Sequence, residues 1–188
     1  MVKSARETFR RLHTLEDGAR LLLRPLTADD CDELIRLYAS APPEDLHALR
    51  EDVTDPAVVR GWVEGMAEGR VLPLLALING RIVGNAILYR LAGPHQHVGE
   101  VQIFLTKDFR SRGLGTEMLK TLIELARKEG LHLLKAEAFA AQPKVIRAFE
   151  RLGFVRQCVF EDYFMLPDGQ TRDIVLLHMR LLERSDEF

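Results

Sequence analysis

The stretch from Gln102 to Gly130 constrains this chain more than any other. Its first residues, Gln102 to Thr106, are apolar and β-branched enough for a buried or half-buried strand. A turn follows, and Arg110-Ser-Arg-Gly113-Leu-Gly115 then opens a helix. Leu114, Met118, Leu119, Leu122, Ile123 and Ala126 recur at helical spacing, while Glu117, Lys120, Glu124 and Lys128 take the other face. Thr116 offers a hydroxyl in the first turn, and Gly130 marks the C-terminal stop. Such a strand, glycine turn and helix N-terminus leaves backbone N–H groups unpaired and convergent, and the helix dipole adds partial positive charge. The arrangement suits an anion, above all a phosphate. Gly113 and Gly115 let the backbone approach a ligand closely. Two glycines alone also occur in ordinary turns, so the surrounding sequence has to decide.

The run lacks the Gly-Lys-Ser/Thr ending of a P-loop and the third glycine of a dinucleotide fingerprint. Arg-x-x-Gly-x-Gly between a strand and an amphipathic helix instead resembles the acetyl-CoA pyrophosphate loop of the GNAT N-acetyltransferase superfamily. A second block, Leu133 to Phe154, is similar to that family's fifth strand, the helix after it and the Leu-Gly-Phe ending that leads into the sixth strand. Both motifs stand in the family's order, and the resemblance runs over about residues 19–182.

The rest of the chain agrees with one α/β (α+β) domain over residues 1–188, with residues 1–18 as a lead-in. At 47% hydrophobic content, 188 residues can bury a sizeable core. Basic residues number 26 against 28 acidic ones, which is no nucleic-acid footprint. Cys31 and Cys158 lie far apart without a CxxC, no secretory signal is read, and no apolar run reaches membrane length. A cytoplasmic protein without nucleic-acid or membrane partners is expected, with a homodimer left open.

Met1 to His13 is basic and reads as a solvated tail or short lead-in helix, with an arm for an acidic partner as the alternative. Asp17-Gly18 is a hairpin signal, and Thr27 starts a helix through Leu34 and Tyr38. Two short helices are expected at Glu44–Glu51 and Pro56–Glu68, the second capped by Asp55. Trp62 reads as a helix-packing residue or as one facing substrate. Asn79-Gly80 joins two strands in a hairpin, and further strands are expected at His97–Thr106, Leu131–Phe139, Phe154–Leu166 and through Leu182, with a helix at Pro143–Leu152. If the chain follows the family, the sheet is mixed and mostly antiparallel, flanked by helices. The family's fourth and fifth strands run parallel and splay apart, and acetyl-CoA sits in the opening.

The resemblance implies acetyl transfer from acetyl-CoA to an amine acceptor, a small molecule or a protein. It implies that the backbone of Ile103, Phe104 and Leu105 pairs with pantetheine and the acetyl carbonyl. Ser111, Arg112, Gly113, Leu114, Gly115 and Thr116 would hold the pyrophosphate, with charge from Arg110 and Arg112 and from Arg151 at the nucleotide. Glu137 falls where ribosomal-protein alanine acetyltransferases place their general base, with Glu100 as the alternative. His95 and His97 read as loop histidines, and no metal spacing is found. The sequence departs from the family twice. Gln142 replaces a cofactor-touching Asn, and Phe149 replaces the Tyr that protonates the thiolate. Tyr163 is the foremost substitute acid, Tyr89 the second, and Cys158 reads as a small core residue. Losing the usual acid also opens an alternative, an acyl-CoA-binding sensor without catalysis.

Overall fold

The computed structural model describes residues 9–182, which form two compact units. The first holds the chain up to Tyr89 together with Gln102–Leu122, and the second holds Arg90–Val101 with the chain from Ile123 on. The boundary passes through two strands and one helix, each of which contributes residues to both.

In the first unit, β1 (Arg11–Thr14), β2 (Arg20–Pro25), β3 (Val71–Ile78) and β4 (Arg81–Arg90) lie in sequence order, followed by β5 (Val98–Leu105). The pairs β1–β2, β2–β3 and β3–β4 are antiparallel. Asn79 and Gly80, at φ 51° and 75°, make the turn of the β3–β4 hairpin. This left-handed pair matches the twist of the flanking strands, as Asn-Gly predicts. Every residue of β3 is buried, the mark of a strand covered on both faces. Gly84 on β4 permits an unusually close approach, because a Cβ there would fall 2.4 Å from the Phe104 carbonyl oxygen of β5.

Three helices, α1 (Cys31–Ala39), α2 (Pro43–Leu46) and α3 (Pro56–Ala67), supply the rest of this core. Leu34, Tyr38, Val59 and Trp62 meet Leu75, Ile87 and Phe104 in one apolar cluster. The entry to α1 is fixed by Asp30, whose carboxylate takes a hydrogen bond from Thr27 N and pairs with both arms of Arg24 at 2.5 and 2.6 Å. Asp55 caps α3 by accepting from Ala57 N, as expected. The helix expected at Glu44–Glu51 ends at Leu46. Beyond it the Ala48 carbonyl accepts from the Gln102 side chain rather than from a helical amide, so tertiary contacts override local propensity. Arg11–Thr14 forms the short strand that the Asp17-Gly18 hairpin signal calls for, rather than a tail or helix, because β2 offers an edge to pair with. The first eight positions of the expected basic arm lie outside the described residues.

In the second unit the hydrogen-bonded order is β5, β6 (Leu133–Phe139), β8 (Thr171–Arg180) and β7 (Val155–Met165). β5 and β6 are parallel and pair over Val98–Glu100 and Leu133–Lys135 only, while β6–β8 and β7–β8 are antiparallel. The parallel pair corresponds to the family's fourth and fifth strands, the lead-in strand having taken the first number. Helix α4 (Leu114–Lys128) buries Leu114, Met118, Leu119 and Leu122 in the first unit and Ile123, Leu125 and Ala126 in the second. Helix α5 (Pro143–Arg151) buries Ile146 and Phe149. Cys158, expected in the core, is exposed on β7, because that edge strand packs along only one side. Among the described residues, no helix is long and apolar enough to cross a membrane.

Candidate active site

The glycine loop lies within the first unit. After a short 3-10 turn at Lys107–Phe109, Ser111 adopts φ 59° and Gly113 φ 83°, with Arg112 between them, and α4 starts at Leu114. Left-handed residues alternating along a turn swing successive amides toward one side, which makes an anion nest. After Arg110, whose N–H donates to Lys107 O, the next loop amide that finds a protein acceptor is that of Glu117, which donates to Gly113 O. Among the described residues, the N–H groups of Ser111, Arg112, Gly113, Leu114, Gly115 and Thr116 have no protein acceptor. Open space surrounds the position of a Cβ on Gly113, whereas a Cβ on Gly115 would touch Leu105 and Ile103 at 3.5 and 3.6 Å. The two glycines therefore do different work: Gly113 leaves the nest uncovered, and Gly115 seats the helix against β5. The structure thus brings Ile103 and Leu105 together with the loop, while Phe104 points into the core.

Both loop arginines are tied back to the protein. Arg110 donates to Leu105 O at 2.9 Å and pairs with Asp45 at 2.6 Å. Arg112 forms a fork on Asp17, and its guanidinium lies 5.0 Å from the centre of the Phe109 ring. A phosphate at the nest would compete with these carboxylates. Asp17 and Asp45 are partners the motif could not reveal, since Asp17 lies 95 residues before Arg112.

In the second unit, Glu137 points from the solvent side of β6 and pairs with Lys135 at 2.8 Å. Glu100, the alternative, pairs with the same ammonium at 3.3 Å. Burial pushes the Lys135 pKa down, but the two carboxylates outweigh it and hold the group above the ordinary lysine value. Opposite Lys135 on β8 stands His178, pushed down by burial and by Lys135 and Arg180, and so a neutral imidazole near neutral pH. Nothing in its local sequence marks it.

Tyr163 lies exposed on β7, beside Asp162 at φ 53°, and stacks on Phe160 at 5.0 Å between ring centres. Phe149 is buried edge-on against Phe154. Gln142 is the residue before α5, its carbonyl accepting from Val145 N and Ile146 N, and Arg151 closes that helix, exposed. Among the described residues, no hydrogen bond or ring contact joins Tyr163 to Glu137.

Tyr89 is engaged elsewhere. Its hydroxyl donates to Glu51 Oε2 at 2.8 Å, and the same oxygen accepts from Trp62 Nε1 at 2.8 Å. Burial and the Glu51 carboxylate push the Tyr89 pKa far up, so its proton stays on that bond. Trp62 is buried, with its ring edge-on to Tyr38. Glu51 was not expected from sequence, being one acid among several in an irregular segment.

The family model for the acetyltransferase (GNAT) family matches residues 31–154, which include the nest and the Leu133–Phe154 block. The chain belongs to the GNAT acetyltransferase family. An L-methionine sulfoximine/L-methionine sulfone acetyltransferase of Pseudomonas paraeruginosa is 26% identical to this GNAT chain over 135 residues, 70% of the chain and 78% of that protein. The L-amino acid N-acyltransferase MnaT of Escherichia coli is 23% identical over 164 residues, 84% of the chain and 92% of that protein. The structure of yncA from Salmonella typhimurium with its cofactor acetyl-CoA aligns with a TM-score of 0.76 at 21% identity, covering 88% of this chain and 96% of that one. The GNAT fold read from the two sequence motifs is therefore the observed one.

Proposed function

We propose that this protein transfers the acetyl group of acetyl-CoA to a primary amine by direct attack. The observation that carries the reading is the run of acceptorless amides from Ser111 to Thr116 at the N-terminus of α4, in a chain of an acetyltransferase family. The residues act as follows. Backbone groups of Ile103, Phe104 and Leu105 hold pantetheine, and Ser111 through Thr116 hold the pyrophosphate. Arg110 and Arg112 lend positive charge, and Gln142, Phe149 and Arg151 border the rest of the cofactor. The neutral amine nitrogen attacks the thioester carbonyl carbon, forming a C–N bond and a tetrahedral oxyanion. Glu137 takes the proton the nitrogen must lose. Collapse of the oxyanion breaks the C–S bond, and the departing thiolate is protonated by Tyr163.

The relatives are named for amino acids and their analogues, so a small amine is the first class to try here, with protein amines second. The sensor alternative draws no support from the family or these relatives. We read the two units as one domain because β5 and α4 both run through their boundary, and place the protein in the cytosol, where acetyl-CoA is made and used. A second copy is the partner we assign to the edge strand β7, which exposes Val155, Val159 and Met165. Sedimentation of Val159→Lys beside the parent tests that assignment, a dimer lost in the variant being the expected result.

The deciding experiment follows thiol release from acetyl-CoA over a panel of amines. Turnover with at least one primary amine, together with the N-acetyl product, is expected. Tight acetyl-CoA binding with no transfer to any amine would overturn the enzyme reading.

A further inference from the structure

A cavity of about 300 Å³ lies within the first unit, under the segment that joins α1 to α3. Tyr38, Leu46, His47, Glu51, Asp52 and Val53 are the side chains in it that matter for recognition. Nothing in the acetyl-transfer reading above uses it. The cavity contains no lysine or arginine, although it carries two carboxylates. Residues 41–55 hold five carboxylates against one arginine. Asp45 among them is taken by Arg110, and Arg50 lies with its guanidinium 5.1 Å from the centre of the Tyr89 ring.

Glu51 is oriented by neutral donors, Trp62 Nε1 and Tyr89 O–H, which fix its direction without cancelling its charge. Asp52 accepts from Thr54 N, and the two Thr54 hydrogen bonds hold its carboxyl below the ordinary value. Asp52 is therefore an anion near neutral pH. An amino-acid acceptor brings a carboxylate of its own and calls for a cation in its pocket. This cavity offers the opposite.

A second observation links the cavity to the reacting strand. Asn85 is 1% exposed, and its Oδ1 accepts from the Tyr38 hydroxyl at 2.6 Å. Its Nδ2 has no partner among the described residues, a costly state for a buried donor. Asn85 lines a narrow cleft with Gln102, Ile103 and Phe104 of β5, and that cleft shares Tyr38 and Val53 with the cavity. The free N–H calls for an acceptor atom beside the strand that the acetyl-transfer reading assigns to the thioester. Gln102 holds the cavity's loop to the same strand through its bond to Ala48 O at 3.0 Å.

We propose that the cavity is an acceptor subsite for a small di- or polyamine. One ammonium sits between Glu51 and Asp52 against the Tyr38 ring, and the chain carries a second, reacting amine toward Ile103 and Phe104. This rests on the acetyl-transfer reading and narrows its acceptor to a class with two positive charges. Charge-assisted hydrogen bonds and the aromatic wall both favour a cation there.

Two measurements test it. In the first, acetyl transfer to 1,4-diaminobutane, n-butylamine and methionine is compared for the parent, Glu51→Gln and Asp52→Asn. The expected kcat/KM is at least about tenfold higher for the diamine than for butylamine, a difference of about 1.4 kcal/mol. That ratio should fall toward one in Glu51→Gln, which can still accept from Trp62 and Tyr89. It should fall less in the exposed Asp52→Asn, which leaves the core untouched. Equal rates for diamine and monoamine, a preference for methionine, or an unchanged ratio in both variants overturns the proposal. The second is calorimetric titration of diaminobutane into the coenzyme A complex. Binding by the parent that is lost in Glu51→Gln supports the subsite even if no amine is acetylated, in which case the transfer reading alone fails. No binding by the parent overturns the subsite.

Discussion

The glycine loop and the β6 carboxylate solve their tasks with different parts of the chain. At the loop the proposed working groups are backbone amides, presented by two left-handed residues and a helix start, and none has an acceptor among the described residues. On β6 the proposed working group is a side chain, and Glu137 stands already paired with Lys135, which also holds Glu100. The loop is prepared for its ligand before the ligand arrives. The carboxylate has to share or give up a partner before it can take a proton. A backbone site is thus specified by conformation alone, whereas a side-chain site is specified by whatever the fold sets beside it.

The largest effect that separates the two regions is expected at Glu137. Glu137→Gln should lower kcat/KM by roughly 10²–10⁴ near neutral pH while acetyl-CoA affinity stays the same, since the nest does not involve it. Lys135 keeps Glu100 as a partner, so the fold should persist. A parental rate with a parental pH profile would move the proton to Glu100, His178 or water.

The second effect belongs to an ion pair whose task is structural, and it shows what a carboxylate pair does when no chemistry is asked of it. Burial pushes the Asp30 pKa up, but hydrogen bonds from Arg24 and Thr27 outweigh it and hold the carboxyl below the ordinary value. A depressed folded-state pKa gives stability that is complete above the unfolded aspartate's pKa of about 3.9 and disappears as pH falls through the folded value. Asp30→Asn leaves the Arg24 guanidinium, 15% exposed, without its anion. It should cost roughly 3 kcal/mol near neutral pH. Denaturant titration at pH 7 and at pH 3 checks this, with the gap between parent and variant narrowing at the lower pH.

How much of this was legible beforehand follows the same division. The β3–β4 hairpin, the α1 entry at Thr27, the Asp55 cap and the glycine loop were all readable, because each is set by residues within a few positions of one another. The long-range ion pairs and hydrogen bonds were not. Arg112 finds Asp17 at a separation of 95 residues, and Trp62 and Tyr89 converge on Glu51 from two other elements. The segment after Leu46 read as helix because its propensities are helical, yet Gln102 claims the Ala48 carbonyl. Exposure of Cys158 depends on β7 being an edge, which only the strand order reveals.

The loop itself is probed by Gly113→Glu. A glutamate there must adopt φ near 83° and sets negative charge over the acceptorless amides. Acetyl-CoA affinity should weaken by at least ~1.4 kcal/mol, or tenfold, by calorimetry on the folded variant. Unchanged affinity would exclude the nest as the pyrophosphate site. Because Gly113 faces open space, little change in packing is expected, which separates this result from simple unfolding.

The smallest effect is expected at Tyr163. Free thiols titrate around pH 8.5, so a departing thiolate is tolerable near neutral pH and a protein acid helps without being indispensable. Tyr163 keeps its hydroxyl in solvent on β7, and Tyr89, the other phenol considered, directs its proton to Glu51. Tyr163→Phe should therefore lower kcat by about tenfold or less, a contribution at the weak end of general acid catalysis, with acetyl-CoA affinity unchanged. Phe149→Tyr is the complementary change. It restores the family's usual side chain, but in a buried position edge-on to Phe154. Activity should survive, at a stability cost of about 1–3 kcal/mol if the hydroxyl finds no partner. A rise in kcat in Phe149→Tyr, paired with a parental rate in Tyr163→Phe when chemistry is limiting, would assign thiolate protonation to water in the parent and return the acid's place to position 149.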